Sequence, residues 1–584
     1  MHQKLKVFFS TYAILFLSIG IGLLMSIPPI YFHYFEPSYR GIELFGSDVE
    51  EIYVSQIREI YDGHYSFGNI YLADLKNSPY IQQSLSPAFV ALLGVLLQVS
   101  APAINILTKF FFPVIVSMLA YTLFKDLSKR TDTALLLTIF VLLAPATLIF
   151  LNPADWYPLL AHQELHGVNF QFLAYARPIN PEVSSIVFFA YLICVGRYFF
   201  SDTVSTQARR WYGIAATVLL GVSFYTYFFA FTLLFGATGM LALWFLISRR
   251  WKMFRKAFVV LFGACVLGIP YFMNVWKVMQ SPYYRQVAQH LGAFDTHRFI
   301  VSKVWWGSFL ALLFLYPRND RFRPLFTALL MAAMVLTNQQ VITGHMLPIP
   351  SHYHWYYIGP LGGAILLRCL FMYIERFTSA RIYAICFIAA FGLFFYSGIL
   401  MQVQSYHAQR GIFVAKQRYA DVVTMLEQQI TPERVIFANS TISGLIPAYT
   451  RHNVYYHGGM GDFLVSEERR RHGYYVYLFL QGIDNGTVEN YFSHPEHLDE
   501  AGALIFSMKY RVSNGCYGCF PEKVRRDIIS GYKDFLKNDF LGELSRYPLD
   551  YVVWDSIADP SWHVERYFHA KIYEKDGIIV YQTT

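Results

Sequence analysis

Long apolar runs, each near the length of a bilayer-crossing helix, alternate with polar stretches through the first 402 residues. Runs at 7–31, 104–124, 133–151, 182–200, 211–228, 230–248, 256–275, 300–316, 324–341, 355–374 and 382–402 predict about eleven spans. The pair 211–248 also fits one bent helix. A shorter apolar run, 87–100, is bracketed by Pro87 and Pro102. It is expected to lie at the membrane interface as a juxtamembrane or re-entrant helix. Beyond residue 402 the pattern changes. Residues 411–429 read as an amphipathic helix, 435–438, 453–456 and 551–554 as short strands, and 570–574 with 578–582 as a hairpin across Asp576-Gly577. The fold class that follows is a polytopic α-helical membrane protein, 1–402, with a C-terminal α/β extracytoplasmic domain, 403–584.

Composition supports this. Charged residues make up 15% of the 584-residue chain, against about 25% in soluble proteins, and the mean hydropathy is +0.34. Aromatics reach 18%, which suits interfacial belts. The net charge of +8 comes from basic clusters between spans, around Lys125, Arg210, Arg250, Arg321 and Arg376. All fall on one side if 87–100 does not cross. The positive-inside rule then places the N-terminus in the cytoplasm and the tail outside a cell (plasma or inner) membrane. The first run is too long for a signal peptide and is read as an uncleaved helix. No basic stripe interleaved with stacking aromatics appears, so nucleic acid is not an expected partner. The outside would hold the loops 32–103, 152–181, 276–299 and 342–354 and the tail. Four cysteines lie in spans. Cys516 and Cys519 lie in the tail, where a local disulfide is the leading reading, with a redox motif or half of a zinc site as alternatives.

Candidate chemistry gathers in the outer loops. Ser47-Asp48-Val49-Glu50-Glu51-Ile52-Tyr53 follows the first span. Ser47 or Asp48 can cap a helix whose first turn holds Glu50 and Glu51, with Ile52, Tyr53, Ile57 and Ile60 on a stripe that can rest on the membrane. The functional alternative makes Asp48 a general base, with Glu50 or Glu51 assisting or holding a metal. In the second loop, Arg177 precedes Pro178-Ile179-Asn180-Pro181-Glu182. Asn180 suits an N-cap and Pro181 the first helical position. Arg177 with that helix start can hold a phosphate, or simply snorkel. Asp155, His162, Glu164 and His166 are weaker candidates in the same loop. In the last loop, Asn338, Gln339, His352 and His354 can contact a phosphate or sugar, the two histidines facing one side if the segment is extended. Arg298, with Arg285, His290 and His297, adds cationic or titratable groups in the third loop.

Taken together these residues resemble a membrane glycosyltransferase of the GT-C superfamily, with protein mannosyltransferase-like architecture. Asp48 and Tyr53, followed by Ile57-Arg58-Glu59-Ile60-Tyr61-Asp62-Gly63, resemble the acidic first-loop motif of transferases that use polyprenyl-phosphate sugars. Ser86-Pro87-Ala88-Phe89 through Leu97 is similar to their juxtamembrane helix, and a multi-span bundle ends in an outer domain. The resemblance implies transfer of a sugar from a polyprenyl-phosphate carrier to a glycan, lipid or protein acceptor at the outer face, among membrane lipids. It implies Asp48 as base or metal ligand and Arg177, with Arg298, His352 or His354, as the phosphate partner. The pattern is Asp48-Val49-Glu50 rather than Asp-x-Asp, which leaves a divalent metal such as Mg or Mn open. The rival readings are a transporter or flippase for a lipid-linked or polar solute and a non-catalytic assembly protein. Transporters usually place charges mid-span and repeat their halves; the polar groups here gather at span ends.

Overall fold

A computed structural model describes residues 2–46, 48–144, 172–320, 322–510 and 520–583, and for 2–11, 48 and 49 the backbone alone. Seven of its helices are long and apolar enough to cross a membrane, and the pair Trp251–Leu267 and Ile269–Met279, bent by 58°, can make an eighth. The chain is a multi-pass α-helical membrane protein. The other three predicted spans differ. Residues 133–151 are helical from Thr131 to Leu143, with 145–151 outside the described residues; 300–316 holds the 12-residue helix Lys303–Phe314; 211–228 lies in the less apolar helix Thr206–Ser223. A turn at 224–227 separates that helix from Phe228–Ile247, so 211–248 is two helices.

The first five helices are α1 (His2–Phe35), α2 (Asp48–Tyr61), α3 (Leu85–Leu97), α4 (Ala101–Ser128) and α5 (Thr131–Leu143). In α1, Pro28 and Pro29 sit inside the helix. Pro28 has no N–H to give the Leu24 carbonyl four residues back. Gln402 supplies it: Nε2 donates to Leu24 O at 3.1 Å, while Oε1 accepts from Leu173 N at 3.0 Å. One buried amide thus joins α1, the last membrane helix and the segment leading to Arg177.

That last helix runs unbroken from Ala380 to Lys416, past residue 402 and into the C-terminal domain. The domain holds a five-stranded sheet: β1 (Val435–Phe437), β2 (Asn453–Val454), β3 (Tyr551–Asp555), β4 (Ala570–Lys575) and β5 (Ile578–Gln582), in the order β2-β1-β3-β5-β4. β1 is parallel to both neighbours, whereas β5 is antiparallel to β3 and β4. Asp576 and Gly577 both take positive φ, the requirement of a tight two-residue hairpin turn.

Two large apolar cores result among the described residues. One fills the helix bundle. The other fills the domain, and Ile42, Phe67, Ile70, Tyr71 and Leu72 of the first loop are part of it. Tyr71 O accepts from Val454 N at 2.9 Å, so the loop borders the sheet. α2 lies between the cores rather than on a membrane surface. Tyr53, Val54 and Ile57, with Glu50, share the face packed on the bundle. Glu51 pairs with Lys416, and Arg58 reaches Glu427 at 2.5 Å on the opposite face. The domain covers the half of α2 that a lone interfacial helix would leave in water. Farther along, His290 of the helix Tyr284–His290 inserts beneath Gly461, against Arg470.

Candidate functional site

α2 brings two of its carboxylates into different surroundings because residues three to four apart share a helix face and adjacent ones do not. Glu50 is fully buried, 0% exposed, and its Oε2 lies 2.7 Å from Lys109 Nζ of α4. Asn105, one turn before Lys109, places Nδ2 3.5 Å from the same oxygen. Glu182, also 0% exposed, has Lys109 and Glu50 as its charged neighbours. Among the described residues neither of its carboxylate oxygens has a hydrogen-bond partner, and Glu50 Oε1, Asn105 Oδ1 and Asn180 Oδ1 are buried without one as well. Asn180 has an extended backbone and no capping bond. The N-cap expected there is replaced by a wide helical turn, Pro178–Val183, that turns its side-chain oxygen into the protein.

Arg177 stands beside this chamber. Its Nη1 donates to Tyr356 OH at 2.7 Å and its Nη2 to Tyr53 OH at 3.1 Å, while the buried Nε has no acceptor among the described residues. Among the described residues it forms no ion pair with a carboxylate; its partners are neutral phenols. Burying a guanidinium costs on the order of several kcal/mol in lost solvation, and its fork matches a phosphate. Tyr356 packs edge-on against His352, and His352 Nδ1 lies 2.7 Å from Tyr227 OH. Arg177, Tyr53, Tyr356, Tyr227 and His352 therefore form one cluster.

Other candidates lie elsewhere. His354 is two residues from His352, but 351–358 is helical rather than extended, so the two rings diverge. His354 Nδ1 lies 3.2 Å from Ser302 Oγ, and with Lys303 and Asn338 it lines a cavity of about 550 Å³. Asn338 Oδ1 accepts from Ile300 N, Gln339 Nε2 donates to His345 O, and Gln340 Nε2 donates to the carbonyl of the exposed Arg298. These amides hold backbone. The Asp48 side chain, Ser47, Asp155, His162, Glu164, His166, Cys516 and Cys519 lie outside the described residues. Sequence reading missed Lys109, Asn105 and Tyr356. A lysine inside an apolar span is itself the signal that would have found the first.

A divalent metal does not fit the described side chains. No group of three His, Cys, Asp or Glu converges among them, and Glu50 already faces an ammonium.

No family model and no curated protein matches the chain. Two kinds of protein are among the solved structures it is similar to. One is the oligosaccharyltransferase of Archaeoglobus fulgidus in its apo form, at 11% identity over 98% of this chain and 74% of that one, with a TM-score of 0.48. The other is ArnT from Cupriavidus metallidurans. Its apo structure is 12% identical over 98% of both chains with a TM-score of 0.45. Its structure bound to undecaprenyl phosphate is 13% identical over 76% of this chain and 85% of that one with a TM-score of 0.43. At scores below 0.5 no residue-by-residue correspondence is fixed, and the chemistry of the chamber stands on this chain's own side chains.

Proposed function

We propose that this chain is an integral-membrane glycosyltransferase of GT-C type. It moves a sugar from a polyprenyl-phosphate carrier to an acceptor hydroxyl on the side of the membrane that bears the C-terminal domain. The observation that carries the reading is Arg177, a guanidinium bonded to two tyrosine hydroxyls, with no carboxylate partner among the described residues, next to the acidic start of α2. In the reaction the acceptor oxygen attacks the anomeric carbon as the bond from that carbon to the phosphate oxygen breaks. Asp48, at the start of α2, takes the acceptor's proton. Arg177 receives the charge that develops on the leaving phosphate. A groove of about 700 Å³ between α1 and Ala380–Lys416, walled by Leu24, Ile27, Tyr31, Gln402 and Tyr406, is where the prenyl chain lies. Its wall residue Gln402 holds Leu173, four positions before Arg177.

The test uses the full chain in nanodiscs with undecaprenyl phosphate as the probe. Arg177→Gln should weaken binding at least about tenfold, the effect of losing a charge-assisted contact of roughly 1.5–3 kcal/mol. Asp48→Asn should keep binding and abolish glycan transfer in membranes. Unchanged binding by the Arg177 variant, or full transfer by the Asp48 variant, sinks the proposal.

A further inference from the structure

The two buried carboxylates and the Asn105 amide oxygen near Lys109 make a set that calls for a cation. Among the described residues, Glu50 Oε1, both carboxylate oxygens of Glu182 and Asn105 Oδ1 are buried without a hydrogen-bond partner. Carboxylates and amide oxygens are the ligands hard divalent ions prefer. Yet the charge at the centre is an ammonium carried by the chain itself. Lys109 is 1% exposed, on an apolar span, and bonded to Glu50 at 2.7 Å. A buried carboxylate is held charged at this depth only by a partner; Lys109 is that partner for Glu50, and its charge also acts on Glu182.

We infer that Lys109 is a built-in counter-cation occupying the place of a divalent metal, and that this site works without one. Charge balance favours this. Glu50 already has the Lys109 ammonium as its ion-pair partner, and Arg177 stands near it as a second fixed cation. A divalent ion added beside these two fixed cations would be repelled in a medium that screens poorly. The arrangement leaves Arg177 for the incoming phosphate and makes Lys109 a positioning residue: it fixes Glu50, and through Glu50 the first turn of α2, where Asp48 lies. The catalytic part of the inference rests on the glycosyltransferase reading; the cation site itself does not.

The experiment measures Mn²⁺ binding to the purified full chain by electron paramagnetic resonance, with transfer in chelator-treated membranes as a second readout. Wild type should bind no stoichiometric Mn²⁺. Lys109→Met should gain one equivalent, and Lys109→Met with Glu182→Gln should lose it again. Wherever transfer is detected, EDTA should leave its rate unchanged. One equivalent of Mn²⁺ on wild type that Glu50→Gln or Glu182→Gln removes would overturn the inference, as would a folded Lys109→Met protein that gains none. The wild-type measurement with Glu182→Gln decides the matter even if Lys109→Met does not fold. Mn²⁺ bound at these carboxylates leaves the Arg177 reading standing, whereas undiminished undecaprenyl phosphate binding by Arg177→Gln leaves the cation result standing.

Discussion

Replacing Gln402 by Leu removes an amide that satisfies two backbone groups at once. Its Nε2 donates to the Leu24 carbonyl that Pro28 leaves open, and its Oε1 accepts from Leu173 N. Gln402 is 2% exposed, so water is poorly placed to substitute. Each buried backbone group left unmade costs about 1–3 kcal/mol, which puts Gln402→Leu at about 2–6 kcal/mol. The structure also says how to rescue half of this. Pro28→Ala restores an N–H that reaches Leu24 O within the helix, so the carbonyl no longer depends on Gln402. The cost of Gln402→Leu should then fall by about 1–3 kcal/mol in the Pro28→Ala background. The assay is a double-mutant cycle by reversible unfolding in mixed detergent–SDS micelles, read by tryptophan fluorescence. A coupling near zero, or a Gln402→Leu cost below about 0.5 kcal/mol, would refute the bridging role.

Three further outcomes follow from the domain. A methyl group on Gly461 would sit 2.3 Å from His290 Nε2, so Gly461→Ala should destabilise by about 1–3 kcal/mol and expose the 284–290 helix to proteolysis, checked by limited digestion. Breaking the buried Glu51–Lys416 pair with Lys416→Met should cost about 3–5 kcal/mol, and Glu51→Gln added to it should recover part of the loss; a larger loss in the double variant contradicts the pairing. Burial, then the Lys416 charge, lowers His457 to about 4, and burial, then Arg470, lowers His290 to about 3. Both histidines are thus held neutral by the fold, and the stability they contribute is present above their ordinary value of 6.5 and lost as pH falls from there through about 4 and 3. Asp462, raised by burial to about 6, works the other way and loses its contribution as pH rises through that value. The melting temperature should therefore fall on acidification below pH 6.5, and His457→Gln should flatten the slope; a melting curve unchanged down to pH 4 counts against it.

The strands and most long helices were legible because period and length are local properties. Val435 to Phe437 and the hairpin across Asp576-Gly577 appear where alternation and turn chemistry place them. What sequence pattern missed is tertiary. The stripe of Ile52, Tyr53, Ile57 and Ile60 reads as one membrane-facing surface until the domain is seen to bury its other side. Glu182 reads as part of the helix start after Arg177; only the fold brings its carboxylate under the influence of Lys109. His352 and His354 look like a pair in an extended segment and are separated by the helix that forms there.

The contribution of Ile42, Phe67, Ile70, Tyr71 and Leu72 to the domain core also sets a timetable for synthesis. Ile42 leaves the ribosome about 380 residues before Tyr419, a member of the same core. At roughly 5–20 residues per second, that loop waits on the order of 20–75 s before the first domain residue of its core is made. Until then its apolar residues have no domain to enter. A chaperone at the membrane surface has that interval in which to hold them, and truncations ending before residue 419 should leave them as an exposed, degradation-prone segment.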